Sequence, residues 1–371
     1  MGGEKDMAFF IGLDIGGTKL AAGLVNMHGE VFARQRVPTH ATGTAEALFA
    51  DTVKLVDTLL AQHKRGTGAF SEKRRATILG IGVGCGGPMI ASGVSPLNIP
   101  AWRDFPLQDR LSTHFQQDVT VDLAGDVTVD NDAKAFTLGE GWTGAARGVE
   151  NYLGVVVSTG VGGGIVLDRR LLHGQAGNAG HIGHIIVSPP GEMCGCGAQG
   201  CLEAEASGTA IARKAVQRLE NGEGRGSVLR EIWEERTAAA AFPDRSLSSV
   251  HGFTARDVAM ASRAGDALAL QVFQQAGEAL GRGIASVANL LDLRMAVVGG
   301  GVCATGDLLL APARAEAKRR ARIAHARPLE IVAALLGEDA GIVGAAALAM
   351  IAAGVGSAAA FFGSGAARVV S

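Results

Sequence analysis

The stretch "IGLDIGGTKLAAGLV" (Ile11–Val25) runs apolar strand, glycine-rich bend, apolar strand. A second stretch, "LGVVVSTGVGGGIVL" (Leu153–Leu167), repeats that order. In each, β-branched and apolar residues flank small residues at the bend, and "NMHGE" and "LDRRL" supply the next turns. The second half therefore reads as a returning strand. In a Walker loop or a dinucleotide fingerprint the glycines would instead open a helix. Two such units about 140 residues apart point to a duplicated fold of two lobes with a cleft between them.

At 371 residues the chain exceeds one average domain, which agrees with two lobes. A composition 47% hydrophobic and 19% charged supplies a sizeable core. The formal net charge of −2 excludes a broad basic face for nucleic acid or anionic lipid. The opening "MGGEKDMAFF" lacks the basic region and apolar run of a secretory signal. No apolar run reaches the roughly 18 residues that a membrane span needs. Five cysteines, three of them within eight positions, make a poor disulfide framework. A reduced, cytoplasmic protein is expected. The 54 glycines cluster just after apolar runs, where tight turns or close approach of the backbone to a ligand require them.

The sequence pattern predicts an amphipathic helix near Thr44–Gln62, a strand over Thr77–Gly84, and strand, cap and helix in "VTVDNDAKAFTLGEGW" (Val127–Trp142). It predicts a helix in "EASGTAIARKAVQRL" with Ser207 as N-cap, and a polar surface excursion over 220–250. A long helix follows over Asp266–Asp292, then a strand entering a third glycine-rich turn in "MAVVGGGVCATGD" (Met295–Asp307). "DAGIVGAAALAMIAA" closes as a helix, and 354–371 reads as a loose tail. The small lobe is expected over 1–130, joined by the closing helix near 340–353, and the large lobe over 131–339.

Three places carry candidate chemistry. Backbone N–H groups along Asp14–Lys19 could cradle phosphate oxygens, with Asp14 orienting hydrated Mg²⁺. Alone, this reads first as a β-hairpin turn; its repetition at Ser158–Gly164 shifts the reading towards a nucleotide held by two such loops. Asp132, at the head of a helix, reads as an N-cap and, compatibly, as a general base for a hydroxyl attacking phosphorus. Its ordinary carboxylate is already ionised near neutral pH, so position matters more than acidity. Finally, "AGHIGHIIVSPPGEMCGCGAQGCLEA" (Ala179–Ala204) holds Cys194-x-Cys196-x4-Cys201 with His184 upstream. One imidazole and three thiolates fit a closed, tetrahedral structural zinc site. The rival, three buried free thiols, is at odds with the Gly and Pro residues that shape the loop. Folding of the loop would bring His181 and Glu203 close, groups suited to sugar hydroxyls; without that context Glu203 reads as a surface residue.

Taken in order, "DIGGTK", "NDAKAFTLGE", "STGVGGGIV", "GNAGHIGH", "CGCGAQGCLEAEASG" and "VVGGGV" resemble the ROK family of sugar kinases and sugar-responsive repressors, over residues 8–350. The resemblance implies an α/β, two-lobed actin/hexokinase-like (ribonuclease H-like) fold with duplicated lobes and a zinc-binding loop. It implies ATP, Mg²⁺ and structural Zn²⁺ as cofactors, a sugar substrate and a homodimer. Asp14, Gly16, Gly17, Thr18 and Lys19 match the first phosphate loop, with Asp14 near Mg²⁺. Thr159 and Gly160 match phosphate contacts of the second lobe, and Gly299, Gly300 and Gly301 would back the adenosine. Asp132 matches the base acting on the 6-hydroxyl. Asn131, His181, His184, Glu203, Asn98 and Gly87 match sugar-contacting positions, and His184, Cys194, Cys196 and Cys201 match the zinc ligands.

Two positions depart from the family pattern. Glucokinases of the family read "AGE-x-GH" where this chain has His181, and a histidine can donate to a carbonyl such as that of an acetamido group. Bacterial N-acetylmannosamine kinases share "AGHIGH". The expected substrate is thus an N-acetylhexosamine, N-acetylmannosamine first and N-acetylglucosamine second, with glucose the alternative. The second departure is Lys134, where Asn is more usual. Repressors of the family place a helix-turn-helix domain before the kinase-like core. Here the stretch before the first strand is too short for a DNA-reading helix and there is no basic patch, so no nucleic-acid partner is expected. A silent zinc-held scaffold has no need of Asp14, Asp132 and two phosphate loops. In-line phosphoryl transfer is the expected chemistry.

Overall fold

The computed structural model describes residues 7–40, 43–64, 76–117, 123–239 and 252–355. The expected tail lies outside these from residue 356, and the expected surface excursion from residue 240.

The first elements are β1 (Met7–Ile15), β2 (Lys19–Asn26), β3 (Val31–Pro38), α1 (Ala45–Lys64) and β4 (Ala76–Cys85). Then come β5 (Met89–Ile90), β6 (Gly93–Val94), α2 (Leu107–Gln117), β7 (Val127–Asn131) and α3 (Asp132–Trp142). They are followed by β8 (Tyr152–Val157), β9 (Val161–Leu167), β10 (Arg170–Leu171), α4 (Leu202–Ala206), α5 (Gly208–Glu220) and α6 (Val228–Ala239). The remainder is α7 (Ala255–Arg263), α8 (Ala267–Leu291), β11 (Met295–Gly299), α9 (Asp307–Arg320), β12 (Glu330–Ala333) and α10 (Ala340–Ala352).

These elements form two compact units. One comprises Met1–Glu150, Gly164–Gly180 and Leu335–Ser371, the other Asn151–Gly163 and His181–Ala334. The division departs from the boundary expected at residue 130. Asp132 falls in the first unit because β7 pairs in parallel with β4, Cys85 opposite Asn131, and because α3 packs against α10.

In the first unit the sheet order is β3-β2-β1-β4-β7. β2 returns antiparallel to β1, as the hairpin pattern predicts, and β4 lies parallel on the other side with Gly84 opposite Asp14. Alternate residues of β1 (Phe9, Ile11, Leu13 and Ile15) join Val56 and Leu59 of α1 in one buried core. The opposite face of the sheet carries α10. That helix is apolar on every side and buried over most of its length, as a helix enclosed by protein must be.

α10 sits unusually close. A Cβ on Gly12 would overlap the carbonyl oxygen of Ile342, one on Gly82 that of Ala345, and one on Gly344 that of Ala135 in α3. Glycines on sheet and helix thus let α10 rest on bare main chain. The entry to α10 is also tied down. The buried carboxylate of Glu140 accepts from the amides of Ala145 (2.7 Å), Leu335 (3.1 Å) and Leu336 (3.0 Å).

In the second unit β8 lies between β9 and β11, with β12 beyond β11; β8, β11 and β12 are parallel. Ser207 caps α5 by accepting from Ala210 N, as predicted. Asp266 caps α8 through Leu268 N (2.9 Å) and Ala269 N (3.0 Å). Part of the expected surface excursion is the helix α6. Among the described residues no helix is long and apolar enough to cross a membrane.

Candidate active site

β1, β4 and β7 are parallel, and their carboxyl ends share one edge of the first sheet, the edge where open α/β sheets take ligands. Asp14 stands one residue before the end of β1, Cys85 ends β4 and Asn131 ends β7. The helix head corrects one expectation. Asn131, not Asp132, is the N-cap of α3: its backbone is extended and its side chain accepts from Ala133 N at 3.0 Å. Asp132 is the first helical residue, with Oδ1 also accepting from Ala133 N at 2.8 Å.

The two carboxyls occupy a recess, partly open by area yet surrounded by protein atoms on most sides. A Cβ on Gly341, at the start of α10, would stand 2.5 Å from Asp14 Cγ. Burial pushes the Asp14 carboxyl up to about 7, and the neighbouring Asp132 charge adds to the rise, while Lys19 and Arg36 oppose it. Burial likewise raises Asp132, with the Ala133 amide pulling the other way. The buried Cys85 thiol is held protonated by burial and by both carboxylates.

The first glycine-rich bend is closed by Gly16 N donating to Lys19 O (3.0 Å) and braced by Thr39 Oγ1 donating to Gly16 O (2.8 Å). Asn98 lies across it: a Cβ on Gly17 would stand 2.9 Å from Asn98 O, and one on Gly86 would stand 2.8 Å from Asn98 Oδ1. Leu97 N donates to Gly87 O, which fixes the turn carrying Asn98. Asp14, Gly16, Gly17, Gly87, Asn98, Asn131 and Asp132 are therefore gathered in the first unit.

The second glycine-rich bend, Ser158–Gly160, joins β8 to β9 and is closed by Ser158 N donating to Gly160 O (2.9 Å). Glu203 is no loose surface residue. Its Oε2 accepts from Val161 N at 2.9 Å and lies where a Cβ on Gly160 would be. Thr209 Oγ1 donates to Thr159 O, and Gly208 N to Ser158 O, which brings the start of α5 to the same bend. Gly300 has φ +91°, and a side chain there would meet Val157 O. Thr159, Gly160, Glu203 and the Gly299–Gly301 turn thus share one end of the second unit's sheet.

His181 precedes and His184 ends a single 3-10 turn, Ile182–His184, with their rings 6.2 Å apart and nearly parallel. The ligand atoms of His184, Cys194, Cys196 and Cys201 all lie within 4.8 Å of one another. Four such atoms bound to one zinc at about 2.1–2.3 Å in a tetrahedron stand about 3.5–3.8 Å apart. Two edges already have that length: Cys194 Sγ to His184 Nδ1 and Cys196 Sγ to Cys201 Sγ are each 3.7 Å. Burial, with the neighbouring thiols, pushes Cys201 up to about 12, whereas the Ala198 amide holds Cys196 below its ordinary value. Donor set and spacing fit a closed zinc site that braces the loop.

Residues that sequence reasoning passed over include Gly84, Cys85 and Gly341, brought to Asp14 or Asp132 only by sheet register and the seating of α10, and Arg36, whose charge opposes the rise at Asp14. One signal was available: Asp130 and Lys134 are spaced i, i+4 across the helix start, a spacing that pairs opposite charges.

A profile of the ROK family matches residues 10–351. The chain is 36% identical over 343 residues to the glucokinase of Halalkalibacterium halodurans, covering 91% of this chain and 93% of that one. It is 31% identical over 292 residues to the N-acetylmannosamine kinase of Yersinia pseudotuberculosis, covering 79% and 82%. Among solved structures, the ROK family glucokinase from Streptomyces griseus in complex with glucose and AMPPNP is 34% identical, with 92% of this chain and 98% of that one covered and a TM-score of 0.68. The α/β architecture is shared with that structure.

Two outcomes follow from the geometry. Elemental analysis of protein purified without chelator should find one zinc per chain, lost in Cys201→Ser; a metal-free wild type would reject the ligand set. The second concerns Asp14, whose folded pKa of about 7 lies above the ordinary 3.8. The folded chain holds a proton that the unfolded chain releases, so the group's contribution to stability is complete below pH 4 and is lost as pH rises through 7. Asn in its place avoids that loss. Unliganded Asp14→Asn should melt a few degrees above wild type at pH 8, with the gap closing towards pH 4. Equal melting temperatures at pH 8 would contradict the assignment.

Proposed function

The chain belongs to the ROK family as one of its sugar phosphotransferases, and from that premise we propose that it transfers the γ-phosphoryl group of ATP to the 6-hydroxyl of an N-acetylhexosamine. N-acetylmannosamine is the first candidate and N-acetylglucosamine the second. The observation that carries the reading is the pair of recessed carboxyls, Asp14 near the end of β1 and Asp132 at the head of α3, on the same sheet edge as Asn98 and the first glycine-rich bend.

Asp132 accepts the proton of the 6-hydroxyl as that oxygen bonds to phosphorus and the bond from phosphorus to ADP breaks. Its raised pKa makes the proton easier to hold in the transition state, at the cost of needing a higher pH to be ionised. With the Gly16 amide closing the bend, those of Gly17 and Thr18 are offered to phosphate oxygens, with Lys19 beside them; Thr159 and Gly160 are the phosphate contacts proposed for the other glycine-rich bend. Gly299, Gly300 and Gly301 leave a bare surface for adenosine. A magnesium ion held near Asp14 would, when bound, neutralise charge growing on the transferring group.

Sugar recognition draws on carboxamide, carboxylate and imidazole groups. Asn98 and Asn131 bring carboxamides, with Gly87 supporting Asn98. Glu203, fixed through Oε2, keeps Oε1 for hydroxyl groups. With Nδ1 of His184 facing Cys194 in the zinc cluster, its Nε2 is left to donate to a hydroxyl, which accounts for one residue serving metal and sugar. His181 donates to the acetamido carbonyl. A second reading, glucose, is favoured by the higher identity to a glucokinase, 36% against 31% for the N-acetylmannosamine kinase.

A coupled assay of N-acetylmannosamine, N-acetylglucosamine, glucose and mannose at equal concentration tests the assignment. N-acetylmannosamine should turn over fastest, and His181→Glu should shift preference towards glucose; an unchanged order of preference refutes the acetamido argument. Asp132→Asn should bind sugar but lose turnover by on the order of 10²–10⁴-fold. The acid limb of the wild-type rate profile should lie above the ordinary carboxylate range, because activity is lost as pH falls through the raised Asp132 value.

A further inference from the structure

A buried charged pair brackets Asn131 and Asp132 and takes no part in the transfer just described. Lys134, in the first turn of α3, is 1% exposed. Its ammonium donates to Asp130 Oδ1 at 3.2 Å and to the carbonyl oxygen of Gly177. Asp130, one residue before Asn131 on β7, also accepts from Asn131 N at 2.7 Å, and its Oδ2 lies 3.4 Å from His173 Nδ1. Next to Gly177, Asn178 makes a matched pair of bonds to one residue: it accepts from Met89 N (2.9 Å) and donates to Met89 O (2.8 Å). All of these groups belong to the first unit.

An ion pair of this kind is weak evidence for stability, since a well-packed apolar side chain of similar size is often as good or better in such a place. Its value lies in direction. A methionine could fill the volume of Lys134, but only a donor can hold a β-strand carboxylate and a loop carbonyl at once. One end of the clip sets the turn that presents Asn131 and Asp132. The other end holds the segment that leads, four residues on, to His181.

We propose that Lys134 is a positioning residue for sugar binding: through Asp130 it fixes the helix head, and through Gly177 it fixes the 173–178 segment, without touching sugar or phosphate. The kinetic part of this proposal rests on the kinase reading, whereas the clip itself is a property of the folded chain.

Two variants test it, Lys134→Met and the double variant Lys134→Met with Asp130→Asn. The single change takes the ammonium away from a buried carboxylate, leaving it the Asn131 amide and His173, and should lower the melting temperature; the double change removes that charge and should recover most of the loss. Stability and positioning are then separable. Amide hydrogen exchange over 172–180, including the Ala179 amide that donates to His173 O, should speed up at least tenfold in both variants. KM for the sugar should rise about tenfold in both, with KM for ATP unchanged. Recovery of slow exchange and low sugar KM in the double variant, together with its melting temperature, would overturn the proposal by reducing Lys134 to a stabilising residue. Exchange is read without substrate. A wild type that phosphorylates no sugar would therefore count against the kinase reading alone, while exchange still decides the clip.

Discussion

The closest packing in the first unit, α10 lying on the main chain of β1, β4 and α3, is the constraint from which its site follows. Gly12, Gly82 and Gly344 permit an approach that any side chain would block. That seating places Gly341 against the Asp14 carboxyl and holds α3 so that its first residue, Asp132, stands at the end of the parallel strands. Two acidic groups that would repel each other on a free chain are thereby held in one recess. Their raised pKa values are the electrostatic consequence of the packing.

Such an arrangement costs stability, and the fold offsets it nearby. Glu140 satisfies three amides at the α10 entry, and the Arg36 guanidinium pairs with Glu338 and Asp339 just before that helix. The second unit solves a different problem. Its loop between Ile185 and Cys201 has little core of its own, and the His184, Cys194, Cys196 and Cys201 cluster gives it a centre. Zinc bound there would do for the loop what glycine-mediated packing does for the first unit, namely hold polar side chains where a ligand can use them.

Much of this was legible in the residues. Alternating apolar strands around "DIGGTK" and "STGVGGG" announced both hairpins, and the cysteine spacing announced the metal cluster, because each depends on local geometry. The unit boundary was not legible: β7 reads as the start of something new until its register with β4 ties Asn131 to Cys85. Which residue caps α3 was also hidden, since Asn131 and Asp132 are both good caps and only the extended backbone at Asn131 decides. Glu203 looked like a surface acid because its partner, Val161 N, lies 42 residues away. Lys134 read as a departure with no physical account until the Gly177 carbonyl appeared beside it.

The claim at the centre of this account is that a hydroxyl oxygen deprotonated at Asp132 becomes the ester oxygen of the product. Phosphorus–proton correlation NMR of the isolated product after incubation with ATP, Mg²⁺ and N-acetylmannosamine reads this directly. The account predicts phosphorus coupled to the two protons on C6, with ADP formed in equal amount and only when sugar is present. Phosphorus attached at the anomeric oxygen, or ADP released at the same rate without sugar, would contradict it.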